Sequence, residues 1–247
     1  MDGSDPSSGA LFLVATPIGN LEDITLRALR VLREADVIFA EDTRRTRILL
    51  DKYEISKHLE SYHIFNEHGR TPELLARVLR GEKVVLVSDA GMPCIADPGF
   101  LLVRSAVREG ITPVIIPGVS ALTFSVAASA LPSDSFSFHG FLPVRSGRRN
   151  AALQRIAEEG RTSVIFESPF RIEKLLREIL RMMGPETNVA VVREATKIHE
   201  EILRGTVAEV LERTAGRSWK GEIVLVVHPS GNSAPADLGP QGSDPEE

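Results

Sequence analysis

The residues with the clearest chemical potential lie in segment 88–99, which reads SDAGMPCIADPG. It contains two carboxylates, Asp89 and Asp97, with two glycines and two prolines that allow or impose unusual backbone conformations. The segment follows an apolar run at 84–88 and is longer than a plain strand-to-helix turn of about 2 to 6 residues. Open α/β sheets bind ligands beyond the carboxyl ends of their strands. We therefore predict that this segment is a ligand-binding loop.

A second charged group follows the apolar run at 37–40 and reads EDTRRTR over residues 41–47. Asp42 could accept a proton from a hydroxyl group, and the three arginines, Arg44, Arg45 and Arg47, could hold phosphates. The same residues also fit a charged helix start, with Asp42 as the cap and the arginines in solvent. Taken by themselves, these residues favour the helix start.

Two glycine-containing turns also join a predicted strand to a predicted helix. They read TPIGN at 16–20 and PGVSA at 117–121. Turns of this kind present backbone N–H groups to phosphates or carboxylates, although neither matches the dinucleotide fingerprint or the P-loop. A ligand role for Pro17 or Ser120 and a purely structural role, with Ser120 capping the next helix, are both consistent with the sequence.

Three further candidates are isolated charged residues or clusters. Glu67 lies in a polar segment between a predicted strand and a predicted helix. Lys197 follows Glu194 by three residues, so the two could face one site, with plain surface charge as the alternative. The segment 145–149 is predicted to be an RNA-contacting loop, or else solvated charge, through Arg145, Arg148 and Arg149. None of these groups has convincing metal-ligand spacing, so no metal site is expected.

Composition places the chain among globular proteins. Its 247 residues are 43% hydrophobic and 26% charged, with one cysteine, which excludes collagen-like and disulfide-stapled classes. No apolar run approaches the roughly 20 residues of a membrane span, and the first ten residues lack a basic signal-peptide start. We therefore expect a cytoplasmic protein that does not associate with a membrane. Six of the 34 acids lie in segments 1–10 and 231–247, which leaves 28 acids against 29 bases between them. The formal net charge of −5 therefore does not exclude an RNA partner.

Hydrophobic patterning predicts an α/β protein in two domains. Short apolar runs alternate with amphipathic stretches up to residue 116, which predicts a largely parallel sheet with helices. Beyond it, a mixed α/β domain richer in antiparallel pairing is expected, with 201–205 as a hairpin partner. The predicted divisions are a disordered tail at 1–10, an N-terminal domain at 11–116, a C-terminal domain at 117–230 and a disordered acidic tail at 231–247.

Five motifs together resemble the tetrapyrrole methylase family of S-adenosylmethionine-dependent methyltransferases, and within it the branch that methylates the cytidine 2′-hydroxyl of small-subunit rRNA. The motifs read VATPIGNLEDIT at 14–25, AEDTRRT at 40–46, SDAGMPCIADPG at 88–99, PGVSA at 117–121 and REATKIHEE at 193–201. They extend over nearly the whole chain between the tails. The resemblance implies a two-domain tetrapyrrole methylase-like fold, with S-adenosyl-L-methionine bound between the domains, and a homodimer.

The resemblance also implies which residues bind the cofactor and what the substrate is. The implied cofactor-binding residues are Pro17, Asp89, Gly91, Pro93, Ile95, Ser120, Ala121, Phe166 and Ile223. The implied substrate is a cytidine ribose near the decoding centre, in 16S rRNA or the assembled 30S particle. Two rival interpretations are a methyltransferase of the same fold acting on a small tetrapyrrole and a non-catalytic cofactor-binding module that associates with ribosomes.

Methyl transfer from a sulfonium needs little covalent help from a protein, because the cofactor supplies its own leaving group. A protonated ribose hydroxyl is nevertheless a poor nucleophile, so a base or a cation near the forming alkoxide would help. The candidate catalytic residues are Asp42, Glu67 and Lys197.

Overall fold

The computed structural model describes residues 9–229, so the predicted tails lie outside it except for Gly9 and Ala10. The backbone divides into two compact units between Ser125 and Val126. Segment Glu194–Glu201 belongs to the first unit, and the second unit resumes at Ile202. The division therefore lies later than the predicted junction near residue 117, and the first unit is completed by a segment from far along the chain.

The first unit contains a five-stranded sheet of order β3-β2-β4-β1-β5, in which every strand pair is parallel. Its strands are β1 (Ala10–Val14), β2 (Val37–Ala40), β3 (Leu59–Ser61), β4 (Lys83–Val87) and β5 (Val114–Ile116). Its helices are α1 (Leu26–Glu34), α2 (Thr43–Lys52), α3 (Glu67–Leu79) and α4 (Phe100–Arg108). Helix α5 (Ala121–Ser129) follows β5 and contains the division between the units.

The core of the first unit follows the alternation of side chains along its strands. In β4, Val84 and Leu86 pack into one apolar cluster with α3 and α4, whereas Val85 and Val87 pack into the other with α1. Strands covered on both faces read as continuous apolar runs, which is why the sequence pattern located them well.

The second unit contains a mixed sheet of order β6-β7-β10-β8-β9. Strand β10 is antiparallel to both β7 and β8, whereas β6 is parallel to β7. Its strands are β6 (Phe136–Phe141), β7 (Thr162–Glu167), β8 (Asn188–Arg193), β9 (Glu201–Thr206) and β10 (Ile223–His228), and its helices are α6 (Ser146–Glu159), α7 (Ile172–Met183) and α8 (Val207–Arg213). The predicted fold class is confirmed, and β9 lies beside β8 as expected of a hairpin partner.

Several boundaries differ from the prediction for identifiable reasons. Ala10, assigned to a tail, pairs with Lys83 and begins β1. Helix α3 begins at Glu67, which was assigned to the polar segment before the helix, because a polar first turn and Pro72 hide the helical pattern. Helix α6 begins at Ser146, so the predicted basic loop is the first turn of a helix. Helix α8 was not predicted. Helix α2 was predicted only as a helix start at Asp42, and strand β3 only as a strand before Glu67, in both cases without bounds.

The strand pairing of the first sheet decides where its candidate residues meet. The last residues of four neighbouring strands, Ser61, Ala40, Val87 and Val14, are paired in register, and Val14 pairs with Ile116 of β5. The five segments that follow these strands therefore leave the sheet at one edge. Among residues 9–229, no helix is long and apolar enough to cross a membrane.

Candidate functional site

Three of the predicted ligand turns converge on Gly91. Its backbone N–H donates to the carbonyl of Thr16 at 3.0 Å, and its carbonyl accepts from the Thr16 N–H at 2.9 Å. A Cβ at Gly91 would lie 3.5 Å from Ile18 Cγ2 and 3.8 Å from the carbonyl oxygen of Val119. Segments 16–20, 88–99 and 117–121, which are far apart in sequence, thus form one site at the carboxyl edge of the first sheet.

Hydroxyl groups fix the start of the 88–99 loop. The Thr16 hydroxyl donates to the carbonyl of Ser88 at 3.1 Å, and the Ser88 hydroxyl donates to the carbonyl of Gly91 at 3.2 Å. Both side chains are buried. Gly91 has a φ of +85°, a conformation that glycine adopts without steric cost. The turn is therefore preformed.

The rest of this loop is held in a strained conformation. Cys94 and Ala96 have φ values of 74° and 64°, which are unusual for residues with a side chain. The Cys94 N–H donates to the carbonyl of Pro98 at 3.2 Å, and a Cβ at Gly99 would lie 2.8 Å from Cys94 Sγ. Pro93 is buried, whereas Ile95 is exposed. Strain of this kind is often concentrated at ligand-binding segments.

Two of the predicted acids are in contact. The Asp89 carboxylate accepts the backbone N–H of Asp42 at 2.8 Å and lies 3.5 Å from the Arg45 guanidinium. Asp89 is only partly buried, so part of the carboxylate is open to a ligand. The segment after β2 thus supports the ligand loop after β4.

Asp42 itself is occupied by helix α2. Its carboxylate caps the helix by accepting the Arg44 N–H at 2.9 Å, and it accepts two hydrogen bonds from the Arg44 guanidinium at 3.0 and 2.6 Å. The hydrogen bonds from Arg44 hold the pKa of Asp42 well below its usual range. This is the arrangement of the helix-cap interpretation, and a carboxylate held in its ionised form is a weak proton acceptor.

Two carboxyl groups near Asp89 have pKa values shifted the other way. Burial, and then the nearby charge of Glu41, raise the pKa of Asp97 to about 7, despite a hydrogen bond from the Ser88 side chain. Burial, and then the charge of Asp89, also raise the pKa of Glu41. Thr16 and Glu41 belong to two of the predicted segments but were not named as site residues, because only the register of β1, β2 and β4 brings them to this edge.

The turn after β5 closes the site. A Cβ at Gly118 would lie 2.9 Å from Ala15 Cβ, so only glycine allows this approach to the end of β1. The carbonyl of Ser120 accepts the N–H of Phe124 in the first turn of α5. Ser120 and Ala121 are partly exposed.

A cavity of about 760 Å³ is formed by other residues of the first unit. Its walls are the turn after β1, the last residue of α2 and part of the segment that returns to this unit. The lining residues are Gly19, Asn20, Leu21, Glu22, Lys52, Glu194, Thr196, Lys197, Ile198 and His199. Lys197 Nζ donates to Glu194 Oε1 at 2.8 Å, so the predicted proximity of these two side chains is observed. Lys52 was not predicted as a site residue, because the extent of helix α2 was not predicted.

The remaining first-unit candidates lie apart from these contacts. Glu67 is the first residue of α3, and its carbonyl accepts the Thr71 hydroxyl at 2.7 Å. Arg47 is partly buried and donates to the carbonyl of Lys57 at 3.4 Å. Arg44 is almost fully exposed, and Arg45 is largely so.

Arg149 corrects the predicted RNA-contacting loop. It is 4% exposed, and its guanidinium donates to both carboxylate oxygens of Glu178 at 2.6 and 2.7 Å and to the carbonyls of Pro143 and Val144. A buried guanidinium with these partners has no capacity left for a phosphate. Of the three arginines in this segment, only Arg145 and Arg148 are exposed.

The two candidates from the second half are neighbours within the second unit. Val224 of β10 pairs with Phe166 of β7, and Ile223 pairs with the next residue along β7, Glu167. The Phe166 ring makes edge contacts with Phe138 and Phe141, at centroid distances of 4.9 and 5.9 Å. Ile223 is buried. Across residues 9–229, no cluster of His, Cys, Asp and Glu could hold a metal ion.

Comparisons with known proteins identify the class of protein that this fold and site define. A family model described as tetrapyrrole (corrin/porphyrin) methylases matches residues 10–211. The solved structure of a cobalt-precorrin-4 methyltransferase of cobalamin biosynthesis superposes with a TM-score of 0.64 at 23% identity, covering 90% of this chain and 96% of that one. Diphthine synthase gives a TM-score of 0.69 at 18% identity, covering 89% of each chain. The chain belongs to the tetrapyrrole methylase family, which confirms the resemblance.

Two curated relatives within this family share a more specific name. A Thermotoga maritima protein named ribosomal RNA small subunit methyltransferase I is 49% identical over 219 residues, which are 89% of this chain and 98% of the relative. A protein of the same name from Halalkalibacterium halodurans is 45% identical over 223 residues, 90% of this chain and 77% of the relative. A further solved structure of the same fold, uroporphyrin-III C-methyltransferase from Thermus thermophilus, is a complex with S-adenosylhomocysteine; it has 23% identity and a TM-score of 0.61, covering 89% of this chain and 97% of that one.

Proposed function

We propose that this protein transfers the methyl group of S-adenosyl-L-methionine to the 2′-hydroxyl of a cytidine ribose in 16S rRNA, near the decoding centre. The observation that carries the proposal is the convergence of three ligand turns on Gly91, in a chain of this family. Close relatives named as small-subunit rRNA methyltransferases support the substrate class.

The first-unit residues around Gly91 fit this cofactor. Asp89 offers a partly open carboxylate to the cofactor's ammonium or ribose hydroxyl groups, and exposed Ile95 offers an apolar contact to its base. We place the backbone groups of Gly91, Pro93, Ser120 and Ala121 around the cofactor, because the Gly91 position lies 3.8 Å from the Val119 carbonyl oxygen and Gly118 packs against the end of β1. Pro17 shapes the turn between Thr16 and Ile18. When bound, S-adenosyl-L-methionine supplies an activated methyl group and a neutral thioether leaving group.

The protein's own contribution is then placement and proton handling. Attack by the ribose oxygen forms the O–CH₃ bond while the S–CH₃ bond breaks, and the hydroxyl proton passes to a base or to water. The hydrogen-bonded and ionised Asp42 is a poor base for this step. Lys197 lines the cavity described above, where its ammonium group stabilises developing negative charge.

The partners proposed are the small-subunit rRNA within the 30S particle and a second copy of this chain. The four exposed arginines available for RNA phosphates are Arg44, Arg45, Arg145 and Arg148.

The edge strand β5 exposes Val114 and Ile115, which fits a homodimer contact. A ribosomal substrate places the protein in the cytoplasm. Light scattering of the purified protein tests the dimer, and a monomer at micromolar concentration would contradict it.

The activity test uses 30S subunits isolated from cells that lack this modification. The full chain is incubated with these subunits and labelled S-adenosyl-L-methionine, and the labelled nucleotide is identified by mass spectrometry of rRNA digests. We expect one 2′-O-methylcytidine in 16S rRNA and no label in 50S subunits. Label on a tetrapyrrole such as uroporphyrinogen, or cofactor binding without any transfer, would overturn the proposal.

The cofactor site is tested by calorimetric titration of a Gly91→Val variant. A branched side chain at a φ of +85°, 3.5 Å from Ile18, should displace the loop and abolish measurable binding. Gly110→Val is the matched control, since Gly110 has a φ of +78° with open space around it at the far end of α4. Equal loss of binding in both variants would show that strain alone, and not the Gly91 site, is responsible.

A further inference from the structure

The cavity between Gly19 and Lys197 has the size of a nucleotide site. Its volume of about 760 Å³ lies within the roughly 300–1,000 Å³ typical of small-molecule pockets. All ten lining residues belong to the first unit. None of them makes one of the contacts to Gly91 described above, so the cavity is a separate feature of this unit.

Its walls are rigid. A Cβ at Gly19 would lie 2.5 Å from Lys197 Cγ and 2.8 Å from the carbonyl oxygen of Ala195, so the two segments are packed as closely as a glycine permits. The Asn20 N–H donates to Thr196 Oγ1 at 3.0 Å, and the Tyr53 hydroxyl donates to the carbonyl of Leu21 at 2.7 Å. A preformed cavity loses little conformational entropy when a ligand binds.

The returning segment is also strained at the cavity. Glu194 and Thr196 have φ values of 51° and 63°, and the Thr196 N–H donates to Glu200 Oε2 at 2.6 Å. Left-handed backbone at two residues with side chains carries a steric cost, and such cost is commonly found where a side chain must be presented to a ligand. Here the conformation presents Ile198, which is 98% exposed.

The side chains that line the cavity suit a ligand with little net charge and an apolar part. The lining contains Lys52, Lys197 and His199 together with Glu22 and Glu194, and Glu194 is already paired with Lys197. Among residues 9–229, the Lys52 side chain has no carboxylate partner. This balance suits one phosphodiester rather than the several charges of a nucleoside triphosphate, and Ile198 and Leu21 offer apolar surface to a base.

The cavity and the Gly91 site share one turn. Ile18 contacts the Gly91 position, and its neighbour Gly19 contacts Lys197. A ligand in the cavity is therefore separated from the 88–99 loop by a single turn of chain, a suitable arrangement for a methyl acceptor and a methyl donor.

We propose that this cavity binds one ribose–phosphate unit of the substrate RNA, with Lys52 and His199 at the phosphodiester and Ile198 against the base. This inference rests on the proposed function and adds the position of the RNA strand. The returning segment then acts as the RNA-side wall of the first unit.

The test measures RNA and cofactor binding separately in the full chain. Lys52→Ala should weaken binding of a 16S rRNA fragment by about 3- to 10-fold and lower the slope of log affinity against log salt by about 1, since one phosphate contact is lost. Ile198→Ala should raise the KM for 30S subunits more than it lowers kcat. Calorimetric affinity for S-adenosyl-L-methionine should stay unchanged in both variants.

Lys83→Ala is the matched control, because Lys83 begins β4 at the opposite edge of the same sheet. The cavity proposal would be overturned if Lys52→Ala left the RNA affinity and the salt slope unchanged, or if Lys83→Ala changed them equally. Methylation of 30S subunits by the wild type would still support the proposed function in that case. Absence of methylation by the wild type would contradict the proposed function itself. Photocrosslinking from benzoylphenylalanine at position 198 should attach to 16S rRNA, and attachment only to a second copy of the chain would overturn the cavity assignment.

Discussion

Two arginine–carboxylate pairs have almost the same geometry and opposite surroundings. Arg44 binds both oxygens of Asp42 at 3.0 and 2.6 Å, and Arg149 binds both oxygens of Glu178 at 2.6 and 2.7 Å. The first pair is exposed on the arginine side, at 89%, whereas both side chains of the second are below 10%. Because water screens the first pair and not the second, hydrogen bonds of similar length have different effects on the free energy of unfolding. Burial, rather than residue type, decides which arginine stabilises the fold and which is free for a ligand.

The largest effect is expected from breaking the buried pair. Arg149→Ala leaves the Glu178 carboxylate buried without its partner and should lower the free energy of unfolding by about 3–5 kcal/mol. Equilibrium denaturation in urea measures this change. The double variant Arg149→Met/Glu178→Leu should recover much of the loss, since an apolar pair can replace a buried ion pair. A single variant as stable as wild type would show that the pair is not desolvated.

A third carboxyl group, Asp97, sharpens the comparison because it is buried beside other acids rather than an arginine. Its pKa is about 7 in the folded protein and 3.8 in a free chain. Between these pH values unfolding releases a proton, so the free energy of unfolding should fall as pH rises and level off above about pH 7. Asp97→Asn should flatten this part of the curve and be more stable than wild type at pH 8.

Denaturation curves between pH 4 and pH 8 check the Asp97 prediction. Exposed Asp134→Asn is the control, since its removal should leave the slope in place. An Asp97→Asn curve with the wild-type slope would refute the raised pKa.

The exposed pair should act on RNA binding and not on stability. Arg44→Ala should leave the urea midpoint unchanged, because the side chain is solvated, while weakening rRNA binding several-fold and lowering its salt slope by about 1. Fluorescence anisotropy with a 16S fragment at several salt concentrations measures both quantities. Arg30→Ala, an exposed arginine of α1, serves as the comparison, and equal effects of the two variants would argue against a specific contact.

The smallest effect is expected at Asp42. Asp42→Asn keeps a side-chain oxygen to accept the Arg44 N–H, so the helix cap should survive. Removal of a general base typically costs about 100-fold or more in rate. Because Arg44 keeps Asp42 ionised, we expect a far smaller loss of single-turnover methylation rate. A loss of that full size with cofactor binding intact would restore Asp42 as the base.

Local pattern was sufficient to predict most of the fold. Strands such as β2 are buried on both faces, so their apolar runs were recognisable without tertiary context. Only the start of helix α2 was recognised, because TRRTRILLDK begins with a charged turn and buries only three residues. The site was predictable to the level of its turns, since glycine and proline mark them directly.

Contacts between segments that are distant in sequence could not be predicted from local patterns. Nothing near Arg149 distinguishes it from Arg148, because its partner Glu178 lies 29 residues away on α7. The cavity requires residues 19–22 to meet residues 194–199, a pairing set by the folded chain rather than by any local pattern. The motif resemblance identified both segments as important without placing them together.

The return of segment Glu194–Glu201 to the first unit determines when the cavity exists during synthesis. Domains generally begin to fold from the N-terminal side as the chain emerges. The sheet of the first unit is complete once β5 has been made, yet one cavity wall is translated more than 70 residues later, after most of the second unit. A nascent chain ending at Ser125 therefore has the Gly91 turns but only part of the cavity lining. The proposed RNA contact in this cavity can therefore form only after segment Glu194–Glu201 has left the ribosome that makes it.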